Sequence, residues 1–176
     1  MTNSKENTSH SGTFASAFLR NLEPREREVI KARFGLDGGE PQTLQAIGNR
    51  YKITRERVRQ IESTALSALR KERHAYADAL LAAAVNELLR VGGAAHEDDF
   101  ITSVKAAVKD AGPVAVFANT TKFLLELSGK ASAHRDPYGT WHPYWYASSD
   151  ARRRVEQFVT KLASALDERK REVLSA

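Results

Sequence analysis

Apolar residues recur at steps of three and four along most of the chain, and Gly, Pro and small polar caps divide them into short segments. Phe14, Phe18, Leu19 and Leu22 share one face and predict a first helix over 14–22. Pro24 opens a second helix, where a missing N–H is harmless, and Glu26 and Glu28 suit its positive end. Val29, Ile30 and Phe34 point inward and Gly35 ends it as a left-handed cap. Leu36–Gln42, with Gly38, Gly39 and Pro41, reads as a loop. Thr43 then caps a short helix to Tyr51, and Thr54 caps a longer one to about Lys71. Two helices joined by a few residues form a helix-turn-helix.

The second half is also mostly helical. An Ala- and Leu-rich helix from His74 to Val91, either continuing the one before or separate from it, ends at Gly92-Gly93; another spans Glu97 to Ala111. The breaker Gly112-Pro113 follows, then a helix from Thr120 to Ser128 ended by Gly129. Lys130–Arg135 and Trp141–Ala147 flank a turn at Asp136-Pro137-Tyr138-Gly139, which predicts a β-hairpin. Helix, helix, hairpin is the order of a winged helix. A last amphipathic helix from about Asp150 to Val173 aligns Val155, Phe158, Val159, Leu162 and Leu166. Docking of that stripe onto the aromatic hairpin of the same chain is favoured over homodimerisation, because the apolar repeat falls short of three heptads. The expected fold class is therefore mostly α: a helix-turn-helix domain at 14–73, a winged-helix-like domain at 74–147 and a C-terminal helix at 148–176. Residues 1–13 are expected to be a disordered lead-in.

The helix after Thr54 carries the chemistry. At about 100° per residue, Ile61, Ala65 and Leu69 fall near Val58 and form a buried edge. Glu56, Arg59, Gln60, Ser63 and Ser67 cluster on the opposite side. Arg, Gln and Glu are the side chains that pair with guanine, adenine and cytosine edges in the major groove. An acid among the arginines suits a base reader better than a purely electrostatic binder. A solvated face of alternating charges fits the same pattern, and periodicity alone leaves both readings open.

Composition sharpens the picture in one respect. The net charge is +5, and residues 14–74 hold 13 Lys+Arg against 8 Asp+Glu, so the whole basic excess lies there. Such a local field suits a polyanion. Hydrophobic residues make up 41%, which fits a folded protein with a core. No apolar run is long enough for a membrane span, and the polar start, Met1 to Gly12, is not a signal peptide. Cysteine is absent, which removes disulfides and thiolate metal sites and fits a reducing cytoplasm.

Leu22-Glu23-Pro24-Arg25-Glu26 with Arg33-Phe34-Gly35-Leu36-Asp37, then Thr43-Leu44-Gln45-Ala46-Ile47-Gly48, then Thr54 through Glu62, resembles region four of the housekeeping bacterial sigma factor family. The likeness covers about 14–72, and its last block is the most specific. It favours the base-reading interpretation. In that family the domain reads the promoter element about thirty-five bases upstream of the start and docks on the flap of the RNA polymerase β subunit. The resemblance implies a DNA-binding set of Thr43, Leu44, Thr54, Arg55, Glu56, Arg57, Arg59, Gln60 and Ser63. Arg55, Glu56 and Gln60 would touch bases, Arg57 and Arg59 would sit at phosphates, and Thr43 and Leu44 would open the supporting helix at the backbone. It also implies that Phe18, Leu19 and Leu22 meet the β flap, although the same residues fit an internal core. Lys52 departs from the family, which often has Gly or a short acid at this turn. The upstream sigma regions that melt promoters have no counterpart here, so a self-sufficient initiation factor is not expected.

Of the remaining features, each has a structural reading that is preferred. Tyr138, Trp141, Tyr144, Trp145 and Tyr146 suit hairpin packing better than stacking on single strands. Glu97, Asp98 and Asp99 are expected as helix-dipole partners, not as an acid–base or metal cluster. His134, Asp136 and His142 lack zinc-ligand spacing. The segment 74–147 loosely resembles winged helices of bacterial transcription proteins, including the polymerase delta subunit, and helix 120–128 reads as a packing element. No catalytic residue, cofactor or metal is expected. The leading expectation is a cytoplasmic, nucleoid-associated regulator that binds double-stranded promoter DNA and engages RNA polymerase. The alternative is an adaptor that uses the sigma-like fold to bind polymerase or an anti-sigma partner without reading DNA.

Overall fold

The computed structural model describes the backbone of residues 10–136 and 142–175, and the side chains of 14–136 and 142–170. Its elements are α1 (His10–Phe18), α2 (Pro24–Phe34), α3 (Leu44–Tyr51), α4 (Arg55–Leu69), α5 (Ala75–Arg90), β1 (Ala94–His96), α6 (Glu97–Val108), α7 (Val114–Ser128), β2 (Ser132–His134), β3 (Tyr144–Tyr146) and α8 (Ser149–Ser175). The helices α2, α3 and α4 form the helix-turn-helix unit. From α5 to β3 the order helix–strand–helix–helix–strand–strand is that of a winged helix. Its strands lie antiparallel in the order β1-β3-β2, so β3 pairs on both edges.

Several boundaries differ from expectation. Helix α1 begins at His10, inside the stretch expected as a lead-in, and ends at Phe18. Leu19 and Leu22 reach the core from the turn that follows. Of the two readings allowed for α4 and α5, the separate one holds, with the division at 70–74. Pro113 starts α7 from its N-cap position, so this helix begins six residues before Thr120. Strand β1 was not expected at all. The predicted turn at 136–139, with Tyr138 and Trp141, lies outside the described residues apart from Asp136.

The expected boundary near residue 74 does not divide the core. A single apolar cluster runs from Phe14, Phe18 and Leu22 through Ala65 and Leu69 to Leu80, Leu88, Phe100, Phe117, Phe123 and Trp145. Helix α7 makes the join. The Phe123 ring lies 4.9 Å from Phe34 and 6.4 Å from Phe18. The Asn119 amide donates to the carbonyls of Gly35 (2.8 Å) and Gly39 (3.1 Å), and Arg70 Nε donates to Leu127 O. Gly35 has to be glycine here. Its φ is +62°, and a Cβ would stand 2.2 Å from the Gly39 carbonyl oxygen.

Trp145 is fully buried, and its indole N–H donates to Glu97 Oε2 at 3.0 Å. Lys122 Nζ pairs with the other carboxylate oxygen of Glu97. Glu97 therefore ties α6, α7 and β3 together, while Asp98 and Asp99 are exposed. Tyr144 is buried and Tyr146 half-buried, which is the packing role expected for these aromatics. His134 stacks on Tyr144 and His142 lies against His96.

Asp110 is buried beside the α6–α7 turn. It accepts from the Tyr76 hydroxyl (2.8 Å) and the Gly112 N–H (2.7 Å), with Lys105 Nζ at 3.4 Å. Burial pushes its carboxyl up, but the Tyr76 and Gly112 bonds and the Lys105 charge together hold it below the ordinary value. A depressed carboxyl stabilises the fold at neutral pH, and that contribution is lost as pH falls through the depressed value. Asp110→Asn is expected to lower stability at pH 7 by about 1–3 kcal/mol. The gap to the parent chain should narrow below about pH 4. Urea unfolding at pH 7 and at pH 3 checks both statements.

The last helix departs most from expectation. Ala151 is buried and Val155 and Val159 are half-buried, where α8 leaves the sheet. Further along the same stripe, Phe158, Leu162 and Leu166 are 67%, 47% and 58% exposed. The predicted docking onto the hairpin thus holds only for the first turns. The helix is longer than the surface it packs on, and residues 160–170 are all exposed. None of the described helices is long and apolar enough to cross a membrane.

Candidate nucleic-acid interface

Three local devices position α4. The Thr43 hydroxyl accepts from Ala46 N and the Thr54 hydroxyl from Arg57 N, each at 3.1 Å, so each helix starts at a side-chain cap. Between them Lys52 adopts the left-handed conformation, φ +55° and ψ +43°, and closes α3. Gly48 admits the turn: a Cβ there would meet the Ile53 carbonyl oxygen at 2.7 Å. Because Lys52 carries a Cβ in a region that suits glycine, Lys52→Gly is expected to stabilise the protein by up to about 1 kcal/mol. A rise in the urea midpoint without a change in slope checks it.

Under this unit lies a small second core of Val29, Ile47 and Val58, all fully buried, with Leu44, Tyr51, Ile53 and Ile61 packed against it. Arg33 braces it from the side. Its Nε donates to Glu62 Oε1 (3.0 Å) and its Nη1 to Gln42 O (3.0 Å), which ties α2 to α4 and to the loop before α3. Arg25 lies over the Tyr51 ring at 3.9 Å. Neither brace was legible from spacing, since Arg33 and Glu62 are 29 residues apart and Arg25 and Tyr51 are 26 apart.

Val58, Ala65 and Leu69 are buried and Ile61 is half-buried, as the helical arithmetic required. Thr54, Arg55, Glu56, Arg57, Arg59, Gln60 and Ser63 are all exposed, and so is Thr43, while Leu44 is half-buried. The expected set on α4 is thus open to solvent along the first turns of that helix, while Leu44, at the start of α3, packs on the second core. Two pairings on α4 were not foreseen. Arg59 donates twice to Glu56, Nη2 to Oε1 at 2.7 Å and Nε to Oε2 at 2.9 Å. Arg57 Nη1 donates to Gln60 Oε1 at 3.2 Å. The bond from Arg59 holds the Glu56 carboxyl below its ordinary value, so it is an anion at neutral pH. A carboxylate and a guanidinium fixed to each other present an acceptor edge and a donor edge side by side. Both charges are satisfied before any ligand arrives.

The family model described as Sigma-70, region 4 matches residues 18–71. That span is a sigma-70 region 4 domain. Over 68 residues the chain is 48% identical to the chloroplastic RNA polymerase sigma factor sigF of Arabidopsis thaliana, covering 36% of this chain and 12% of that protein. It is 49% identical over 63 residues to sigma factor SigA1 of Synechococcus elongatus, covering 36% and 15%. It is 52% identical over 52 residues to SigA of Clostridium acetobutylicum, covering 30% and 14%. The chain thus spans about an eighth to a seventh of the length of these relatives. Helix α4 is the second helix of the region 4 helix-turn-helix. The region 4 domain here is also enclosed by something outside the match. Phe18, Leu19 and Leu22 are buried, within the apolar cluster that α5 and α7 complete. Of the two readings those residues allowed, internal core is the one found, and the surface expected to meet the β flap is not presented by them. Among the described residues no group of three or more His, Asp or Glu side chains is placed to hold a metal ion.

Proposed function

We propose that the chain is a non-enzymatic DNA-binding transcription regulator that reads a promoter upstream element through α4 and works with RNA polymerase in the cytoplasm, at the nucleoid. The observation that supports it best is the exposed face of α4 in a braced region 4 helix-turn-helix, with Arg55, Glu56 and Gln60 outward near the helix start. Arg55, Glu56 and Gln60 take base edges. Arg57 and Arg59 take phosphates, and Thr43 and Leu44 bring the start of α3 to the backbone. Since Phe18, Leu19 and Leu22 are core, polymerase contact uses a different surface from the one the family resemblance implied.

A gel shift with a promoter upstream element against scrambled duplex, at low and moderate salt, tests the reading. Preference for the promoter duplex at both salts, with affinity falling as salt rises, is expected. Equal and salt-insensitive binding of the two duplexes, or none, would favour the adaptor that uses the same fold for protein partners.

A further inference from the structure

Helix α4 carries two acids, and the fold uses them differently. Glu62 is turned toward α2, where Arg33 holds it. Glu56 lies on the outward face among Arg55, Arg57 and Arg59, all of them exposed. Among the described residues only Arg59 is within ion-pair distance of it, donating from both Nε and Nη2 so that each carboxylate oxygen is engaged. We propose that Arg59 is a positioning residue for Glu56. Its guanidinium sets the plane of the carboxylate that meets a cytosine amine, so the base preference of α4 depends on the shape of residue 59 and not only on its charge. This role presupposes that α4 reads DNA as proposed above.

A glutamate side chain is flexible, and a bidentate guanidinium fixes its end in a way that a point charge does not. Each carboxylate oxygen keeps a lone pair outside the bond, so the acceptor edge offered to a cytosine amine survives the pairing. The pair is more than half exposed, and in water it adds little to stability. Against DNA its weight changes. Water leaves, phosphates stand nearby, and a carboxylate without its cation would be both unpaired and repelled. Gln60, one turn on, is occupied elsewhere, since its Oε1 accepts from Arg57 Nη1 at 3.2 Å. Arg59 Nη1 makes no bond among the described residues and can still take a phosphate.

Arg59→Lys separates shape from charge, because lysine keeps the cation and loses the fork. Two readouts on the full chain test it. The first is the Glu56 carboxyl followed by NMR without DNA. Hydrogen bonding from Arg59 holds it low in the native chain, and it should rise toward the ordinary carboxylate range in the variant. The second is competition binding with the preferred duplex and with duplexes altered at the cytosine whose preference Glu56→Ala relaxes. The variant should keep the native helicity and salt slope but lose roughly fivefold or more of its discrimination at that position. Discrimination left intact in Arg59→Lys overturns the proposal and makes Arg59 a phosphate contact only. A carboxyl that titrates identically in the two chains overturns it as well. So does a native chain that binds all duplexes alike; if its carboxyl still titrates low, the base reading has failed and the bond has not.

Discussion

Replacing Phe123 with Ala is expected to destabilise the whole chain by about 3–5 kcal/mol, the range for removing a buried aromatic ring. Phe123 is 1% exposed, and its ring is in contact range of Phe18 and Phe34. It belongs to α7 by sequence and to the region 4 core by packing. Loss of the ring leaves a cavity between the two halves, so both halves should unfold at lower denaturant together. Tryptophan fluorescence follows Trp141 and Trp145, the second of them in β3, and far-UV dichroism follows the helices of both halves. Coincident transitions by the two probes, before and after the substitution, are the expected result. Two separated transitions, or a loss below about 1 kcal/mol, would mean that the halves are independent and that α7 is only leaning on region 4.

The second large effect concerns DNA. Arg55→Ala, Glu56→Ala and Gln60→Ala are each expected to remove about 1–3 kcal/mol of discrimination where they make good base contacts. Arg59→Ala should weaken all duplexes and reduce the salt slope by about one ion. The bidentate bond between Glu56 and Arg59 adds a condition that spacing alone did not reveal. Removing Glu56 also releases the Arg59 guanidinium, and removing Arg59 leaves Glu56 without its partner. The two substitutions should therefore be non-additive, with a coupling of about 0.5–3 kcal/mol in a double-mutant cycle on binding. Strict additivity would show that the pair separates before DNA is engaged.

The parts of this molecule that were legible in sequence are those set by neighbours along the chain. The Val58, Ala65 and Leu69 edge follows from helical geometry, the caps at Thr43 and Thr54 from hydroxyl chemistry, and the turn at Gly35 from its left-handed φ. What was missed depends on distant partners. Strand β1 is Ala94-Ala95-His96, with no β-branched residue and no Phe, Tyr or Trp, and it exists because β3 offers it an edge. The first turns of α7 were hidden because Pro113 was taken as a breaker when it serves as the N-cap. The larger core cluster, which joins the helix-turn-helix to α5–α7, could not be inferred from the sequence near residue 74, because Asn119 and Gly35 meet across 84 residues. The outer face of α8 was expected to dock, since amphipathicity shows that a helix must hide one side without showing where.

The most direct test of base reading by α4 is enrichment of bound sites from a randomised duplex pool at moderate salt, with the native chain and with Glu56→Ala in parallel. The native chain should enrich one short motif, and the variant should enrich the same motif with its preference relaxed mainly at one cytosine. If the native chain enriches no motif, or if Glu56→Ala leaves every position of it unchanged, α4 is not reading bases through Glu56.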